Sequence, residues 1–177
     1  MDDITLKRLL FAKRLFIHGI YHSQNNTELD RFMAIHHFDN SIELFLKIIA
    51  TKEGISSSSR NDFEFKKLWD QVRTSLESKT PPYNLPLKGP IFSLHDARNL
   101  AQHQGDGPTH ETVIKYQGYT KDFFLQSFRE IFDIEYDKLY ASILGRESAI
   151  GCYLYNLFIY AAWGVVKWAK EVQSLDS

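Results

Sequence analysis

Arg98, Asn99 and His103 are the residues of this chain whose types and spacing suit acid–base chemistry on a phosphate group. The planar guanidinium of arginine is a permanent cation that matches the geometry of phosphate oxygens. The imidazole of histidine accepts and releases a proton near neutral pH. Because a ribose 2′-hydroxyl can attack its own 3′-phosphate with the help of proton transfer, these residues indicate RNA cleavage that needs no metal ion.

Each of these side chains has an expected role in that reaction. Arg98 stabilises the charged phosphorane, and Asn99 orients His103 or holds a phosphate oxygen. His103 lies near the predicted helix end at Gly105, where unpaired carbonyls favour a protonated ring and therefore a general acid. The expected products are a 2′,3′-cyclic phosphate and a 5′-hydroxyl, so DNA is not expected to be cleaved or bound. The reaction requires no cofactor.

The helix that carries these residues has an apolar face and a polar side, at about 100° per residue. The apolar face contains Leu94, Ala97 and Ala101, and the polar side contains His95, Asp96, Asn99 and His103. Arg98 lies between the apolar face and the polar side. Its side chain leaves the helix about 140° from that of His103, measured around the helix axis. Either the long arginine side chain bends towards His103, or a second copy of the helix completes the site in a symmetric dimer.

Three segments of the chain resemble the HEPN superfamily of helical ribonucleases. Residues 94–105 are similar to its core R-x4-6-H motif, with a polar residue after the arginine. Residues 38–47 resemble the preceding helix of such domains, in which a polar residue often faces the site. The tyrosines and phenylalanines of residues 116–124 resemble bacterial members linked to phage defence. The resemblance covers about residues 5 to 145.

This resemblance implies an up-and-down bundle of four to six helices that forms a homodimer across the motif helices. It also implies metal-independent ribonuclease activity in a toxin or antiviral system, with RNA as substrate and an antitoxin or defence-system protein as a further partner. The motif residues are Arg98, Asn99 and His103, and weaker candidates for substrate binding are Glu43, Asp39 and Asn40. Some HEPN domains have lost catalysis. The alternative is therefore a non-catalytic module that assembles with a separate sensor or effector, and this alternative includes a membrane-associated form.

The elements that must position these residues are predicted to be helices, because apolar residues recur at helical spacing along most of the chain. The predicted helices cover about residues 3–22, 27–52, 62–76, 91–104, 109–144 and 146–173. Prolines predict an extended segment at residues 81–90. The 177 residues suffice for one all-α domain, residues 1–177, with its own core. A net charge of −1 means that any RNA contact must be local.

Two histidines, His18 and His22, have the i, i+4 spacing of helical zinc ligands. No compact carboxylate or cysteine pair accompanies them in the sequence, so we predict no metal site. His36 and His37 point to different faces of their helix, and at least one of them is expected to be structural. Cys152 is the only cysteine of the chain, which excludes an internal disulfide.

The C-terminal segment is the one stretch whose composition suits a membrane. Residues 148–166 contain no charged residue, and their number is about the minimum for a membrane-spanning helix. Asn156 and several tyrosines interrupt the segment, which favours a helix buried against protein. We therefore predict an apolar C-terminal helix at 146–173 in a cytoplasmic protein, with a membrane anchor through 148–169 as the alternative.

Overall fold

The computed structural model describes residues 1–55, 64–105 and 107–140, and within these residues it has helices and no strands. The helices are α1 (Asp3–Ser23), α2 (Glu28–Lys52), α3 (Phe65–Glu77), α4 (Lys88–Gln104), α5 (His110–Phe132) and a short 3-10 helix (Tyr136–Lys138). The α-helices pack as a bundle, which confirms the predicted all-α class for this part of the chain.

Side-chain caps explain where three of the helices begin. Asp2, Thr27 and Thr109 each accept a hydrogen bond from the backbone N–H three residues further along, at 2.8, 3.1 and 3.2 Å. Such a bond satisfies one of the backbone donors that have no helical acceptor in a first turn. The observed starts of α1, α2 and α5 agree closely with the predicted ones.

The predicted start of α4 and the predicted end of α5 were wrong. α4 begins at Lys88, inside the segment 81–90 that the prolines predicted to be extended. Pro90 is tolerated there because it occupies the first turn, where a backbone N–H has no acceptor within the helix. α5 ends at Phe132 and does not continue to about residue 144, since Asp133 adopts a left-handed backbone conformation with a φ of 54°.

The central helix of the bundle is α2, which packs against each of the other four. Its Phe45 ring stacks on Phe128 of α5 at a centroid distance of 4.7 Å and contacts Phe123 and Phe124 edge-on. All four rings are fully buried. Because buried aromatic rings remove large apolar areas from water, this cluster holds α2 in the interior. The polar residues of α2 are thereby brought against neighbouring helices.

The chain separates into two compact units, Met1–Tyr136 and Asp137–Ser177. The five α-helices above belong to the first unit, and the second lies almost wholly outside the described residues. A single domain over residues 1–177 and an apolar helix at 146–173 therefore stay predictions. Of the helices that the structure describes, none has the length and apolarity that crossing a membrane requires. The segment 148–169 is not among them.

Helices α1 and α2 are in close contact at Gly19. A Cβ atom at this position would lie 2.6 Å from ring atoms of Phe38 and 3.2 Å from the backbone oxygen of Ala34. The Phe38 ring is fully buried among other core side chains, so it has little room to move aside. The absence of a side chain at Gly19 is therefore what permits this close contact.

Replacing Gly19 with alanine should destabilise the protein by about 1–3 kcal/mol, because the added methyl group overpacks the α1–α2 contact. Gly118→Ala is the matched control, since Gly118 lies inside α5 and a Cβ atom there would meet nothing within 4 Å. Alanine favours helix more than glycine does, so the control should be neutral or more stable by up to about 1 kcal/mol. Urea unfolding monitored by circular dichroism measures both variants. Equal stabilities would contradict the close-contact argument.

Candidate functional site

The centre of the candidate site is the carboxylate of Asp39, on α2. Its side chain is 1% exposed and accepts hydrogen bonds from two side chains of α4. The Nε of Arg98 lies 2.7 Å from Oδ2, and the Nδ1 of His95 lies 3.0 Å from Oδ1. A buried carboxylate without partners would be costly, so these contacts make the burial of Asp39 possible and tie α4 to α2.

The guanidinium of Arg98 is held from several directions. Its Nη1 donates to the Oδ1 of Asn99 at 2.9 Å and to the Oε1 of Gln102 at 3.3 Å. Its Nη2 lies 3.7 Å from the Oε2 of Glu43, whose Oε1 accepts a hydrogen bond of 2.6 Å from Lys47. Arg98 is thus a fixed cation with 16% of its side chain exposed, and part of its donor capacity is left for a ligand.

His95 belongs to this cluster, which the sequence did not lead us to expect. Its ring stacks on Phe65 of α3, with centroids 4.1 Å apart and planes at 10°. The sequence interpretation assigned His95 to the polar side of the helix together with His103. That assignment was wrong for His95, because its ring is enclosed between Phe65 and the carboxylate of Asp39.

The signal that could have located His95 is its place in a helical stripe. The bundle-facing side chains of α4 include Ile91, Leu94, His95, Arg98 and Ala101. They follow the i, i+3, i+4 and i+7 spacing of a buried helix face. Two of the five are polar, so the apolar residues alone indicated a face that contains Leu94, Ala97 and Ala101 and leaves out His95.

His103 lies apart from the Asp39 cluster. It is exposed on the last turn of α4, and no side chain in the described part of the chain hydrogen-bonds to it. Around α4 it is about 140° from Arg98, so one chain does not bring these two side chains to one point. Asn40, the remaining candidate, is half-buried on α2 and makes no side-chain hydrogen bond within residues 1–55, 64–105 and 107–140.

A second cluster of titratable side chains lies between α1 and α2. His18, His22 and His37 each offer one ring nitrogen, and these nitrogens lie within 4.8 Å of one another. Burial lowers the pKa of His37 to about 4, and the nearby histidines act in the same direction, so this ring is neutral at pH 7. The sequence interpretation recognised the pair on α1 but missed the third histidine, because it comes from another helix.

Comparison of this chain with protein-family models, curated proteins and solved structures found no match in any of the three. The relation to the HEPN superfamily therefore rests on the motif residues together with the helical bundle, and it stays a hypothesis. Function has to be argued from the geometry of the two clusters.

Removing the Asp39 carboxylate should be strongly destabilising, because it leaves the Arg98 cation largely buried and without its main partner. We expect Asp39→Ala to lose about 3–5 kcal/mol. Asp96→Ala is the matched control on α4: Asp96 pairs with Lys66 at 3.2 Å, but the two side chains are 59% and 50% exposed. Such an exposed pair contributes little to the free energy of unfolding, so the stability of Asp96→Ala should stay within about 0.5 kcal/mol of wild type. Chemical denaturation that ranks the two variants equally would show that Asp39 does not hold α4.

Proposed function

We propose that this protein is a metal-independent endoribonuclease of the HEPN type that serves a toxin or antiviral defence system. The observation that carries the proposal is the fixed cation Arg98, which the buried Asp39 holds in one orientation with Asn99 beside it. A cation that is already oriented stabilises a developing phosphorane without a cost of reorganisation. The HEPN resemblance implies that role for the same arginine.

In the proposed reaction the ribose 2′-oxygen bonds to the adjacent phosphorus, and the bond from phosphorus to the 5′-oxygen breaks. The protonated ring of His103 gives a proton to the leaving 5′-oxygen. The Oδ1 of Asn99 already accepts a hydrogen bond from Arg98, so its amide N–H groups are the part that donates to a phosphate oxygen. Asp39 is too deeply buried to touch RNA and acts as a positioning residue for Arg98.

In a symmetric dimer across α4, the second chain supplies the His103 ring that the first chain does not bring to its own Arg98. Because Arg98 and His103 diverge by about 140°, the phosphate that Arg98 holds is reached by the partner's His103. Each cleft then needs one Arg98 and one His103, and the 2′-hydroxyl proton passes to a water molecule.

A non-catalytic assembly module is the second candidate function, because the contacts of Arg98 also suit a purely structural role. Asp39 and Glu43 offset the charge of the guanidinium. An arginine held in this way ties α4 to α2 whether or not RNA binds. The two candidates differ in whether the purified protein cleaves RNA in the presence of EDTA.

Arg98→Ala and His103→Ala should each lower RNA cleavage by at least about 100-fold, the usual scale for a group that transfers a proton or stabilises the transition state. Wild-type protein should cleave in EDTA and leave 2′,3′-cyclic phosphate ends. The partly exposed Arg73 of α3 and the exposed Gln104 of α4 offer controls, and their alanine variants should cleave at the wild-type rate. Circular dichroism confirms that each variant is folded. Cleavage that requires Mg²⁺, or that persists in His103→Ala, would refute the ribonuclease proposal and favour the assembly module.

Mixing two inactive chains tests whether the site is shared between subunits. In a heterodimer of Arg98→Ala and His103→Ala chains, one of the two clefts receives Arg98 from one chain and His103 from the other. A co-expressed mixture should therefore recover about a quarter of the wild-type rate, since about half of the dimers are mixed and each has one intact cleft. If both residues act from the same chain, no cleft is complete and the mixture stays inactive. An active monomer in light scattering would equally exclude the shared site.

A further inference from the structure

Three imidazole rings come together where α1 packs on α2. The Nδ1 of His18 lies 2.9 Å from the Nε2 of His37, and the ring centroids of His18 and His22 are 4.9 Å apart. One nitrogen from each of the three rings lies within 4.8 Å of the other two. A tetrahedral Zn²⁺ ion with Zn–N distances of about 2.0–2.1 Å places its ligand nitrogens about 3.3 Å apart. Small side-chain rotations are therefore enough to form three such bonds.

His22 is already oriented as a metal ligand would be. Its Nδ1 lies 2.8 Å from the Oδ1 of Asp30, and the Oδ2 of Asp30 accepts a hydrogen bond of 2.6 Å from the Oγ1 of Thr27. When Nδ1–H donates to Asp30, the Nε2 of the neutral ring keeps its lone pair. A carboxylate that sets the tautomer and orientation of the ring is the usual companion of a metal-bound histidine.

The hydrogen bond between His18 and His37 does not satisfy all the polar atoms of this cluster. It uses one nitrogen of each ring, and the Nδ1 of His37 is buried without a hydrogen-bond partner among the described residues. Buried polar atoms in native proteins are nearly always paired. The unpaired atom is Nδ1, so Nε2 is the His37 nitrogen that approaches His18 and would serve as the ligand atom.

We propose that His18, His22 and His37 bind one Zn²⁺ ion, with Asp30 orienting His22. Imidazole nitrogen is a preferred ligand of zinc, and three histidines leave a fourth tetrahedral position for a water molecule. The ion links α1 to α2 and stabilises the folded chain, because the unfolded chain does not hold the three rings together. This site goes beyond the proposed ribonuclease function: His37 and Asp39 point about 200° apart around α2, so the two clusters lie on different sides of that helix.

Calorimetric titration of the full-length, chelator-treated protein with ZnCl₂ tests the proposal directly. We expect one Zn²⁺ per chain with micromolar or tighter affinity. We also expect Tm to rise by about 5–10 °C at a hundredfold excess of zinc over Kd. Co²⁺ in place of Zn²⁺ should give the visible absorption of a four-coordinate ion. An absence of binding at micromolar zinc would overturn the proposal.

Variants of the cluster locate the bound ion. His22→Ala and His37→Ala should weaken zinc binding by at least about 100-fold, and Asp30→Asn, which keeps all three ligands, by about 10- to 100-fold. His103→Ala is the matched control, because it removes an exposed histidine from another helix and should bind zinc as the wild type does. If an alanine variant does not fold, Asp30→Asn still decides the question. Wild-type affinity in folded His37→Ala or Asp30→Asn protein would show that zinc binds elsewhere.

Discussion

The buried carboxylate of Asp39 determines how α4 lies on α2. An ionised carboxylate in a protein interior costs several kcal/mol of solvation free energy unless hydrogen-bonding and charged partners surround it. Asp39 obtains these partners only when Arg98 and His95 face α2, so one rotation of α4 about its axis satisfies the carboxylate and others leave it unpaired. The motif helix is therefore oriented by a polar contact as much as by its apolar residues.

The same contact sets the chemical limits of the site. It fixes the Arg98 cation in place, but Asp39 and Glu43 also offset part of its charge. It turns His103 away, since the two motif residues cannot both face α2 from one helix. In the proposed ribonuclease, the proton donor therefore comes from the second chain of the dimer. That requirement links the orientation of α4 to the proposed dimer.

The central position of α2 gives this one helix two polar faces with different partners. Asp39 contacts side chains of α4, whereas His37 contacts His18 of α1. The second contact depends on the short distance between α1 and α2 at Gly19, where a side chain would collide with the ring of Phe38. Apolar packing thus brings the three histidines together, and a polar contact orients the motif helix. The two clusters share a helix but no side chain.

The sequence by itself determined features that depend on residues within one helix. These are the approximate positions of α1 to α5, the His18–His22 pair and the angle of about 140° around the helix axis between Arg98 and His103. The tertiary structure alone decided which polar side chains are buried together. Asp39 meets Arg98 across 59 residues, and His37 meets His18 across 19. A pattern within one helix predicts that a polar side chain is exposed, because water can then form its hydrogen bonds. A partner from a distant helix reverses that preference, and no spacing within one helix reveals that such a partner exists.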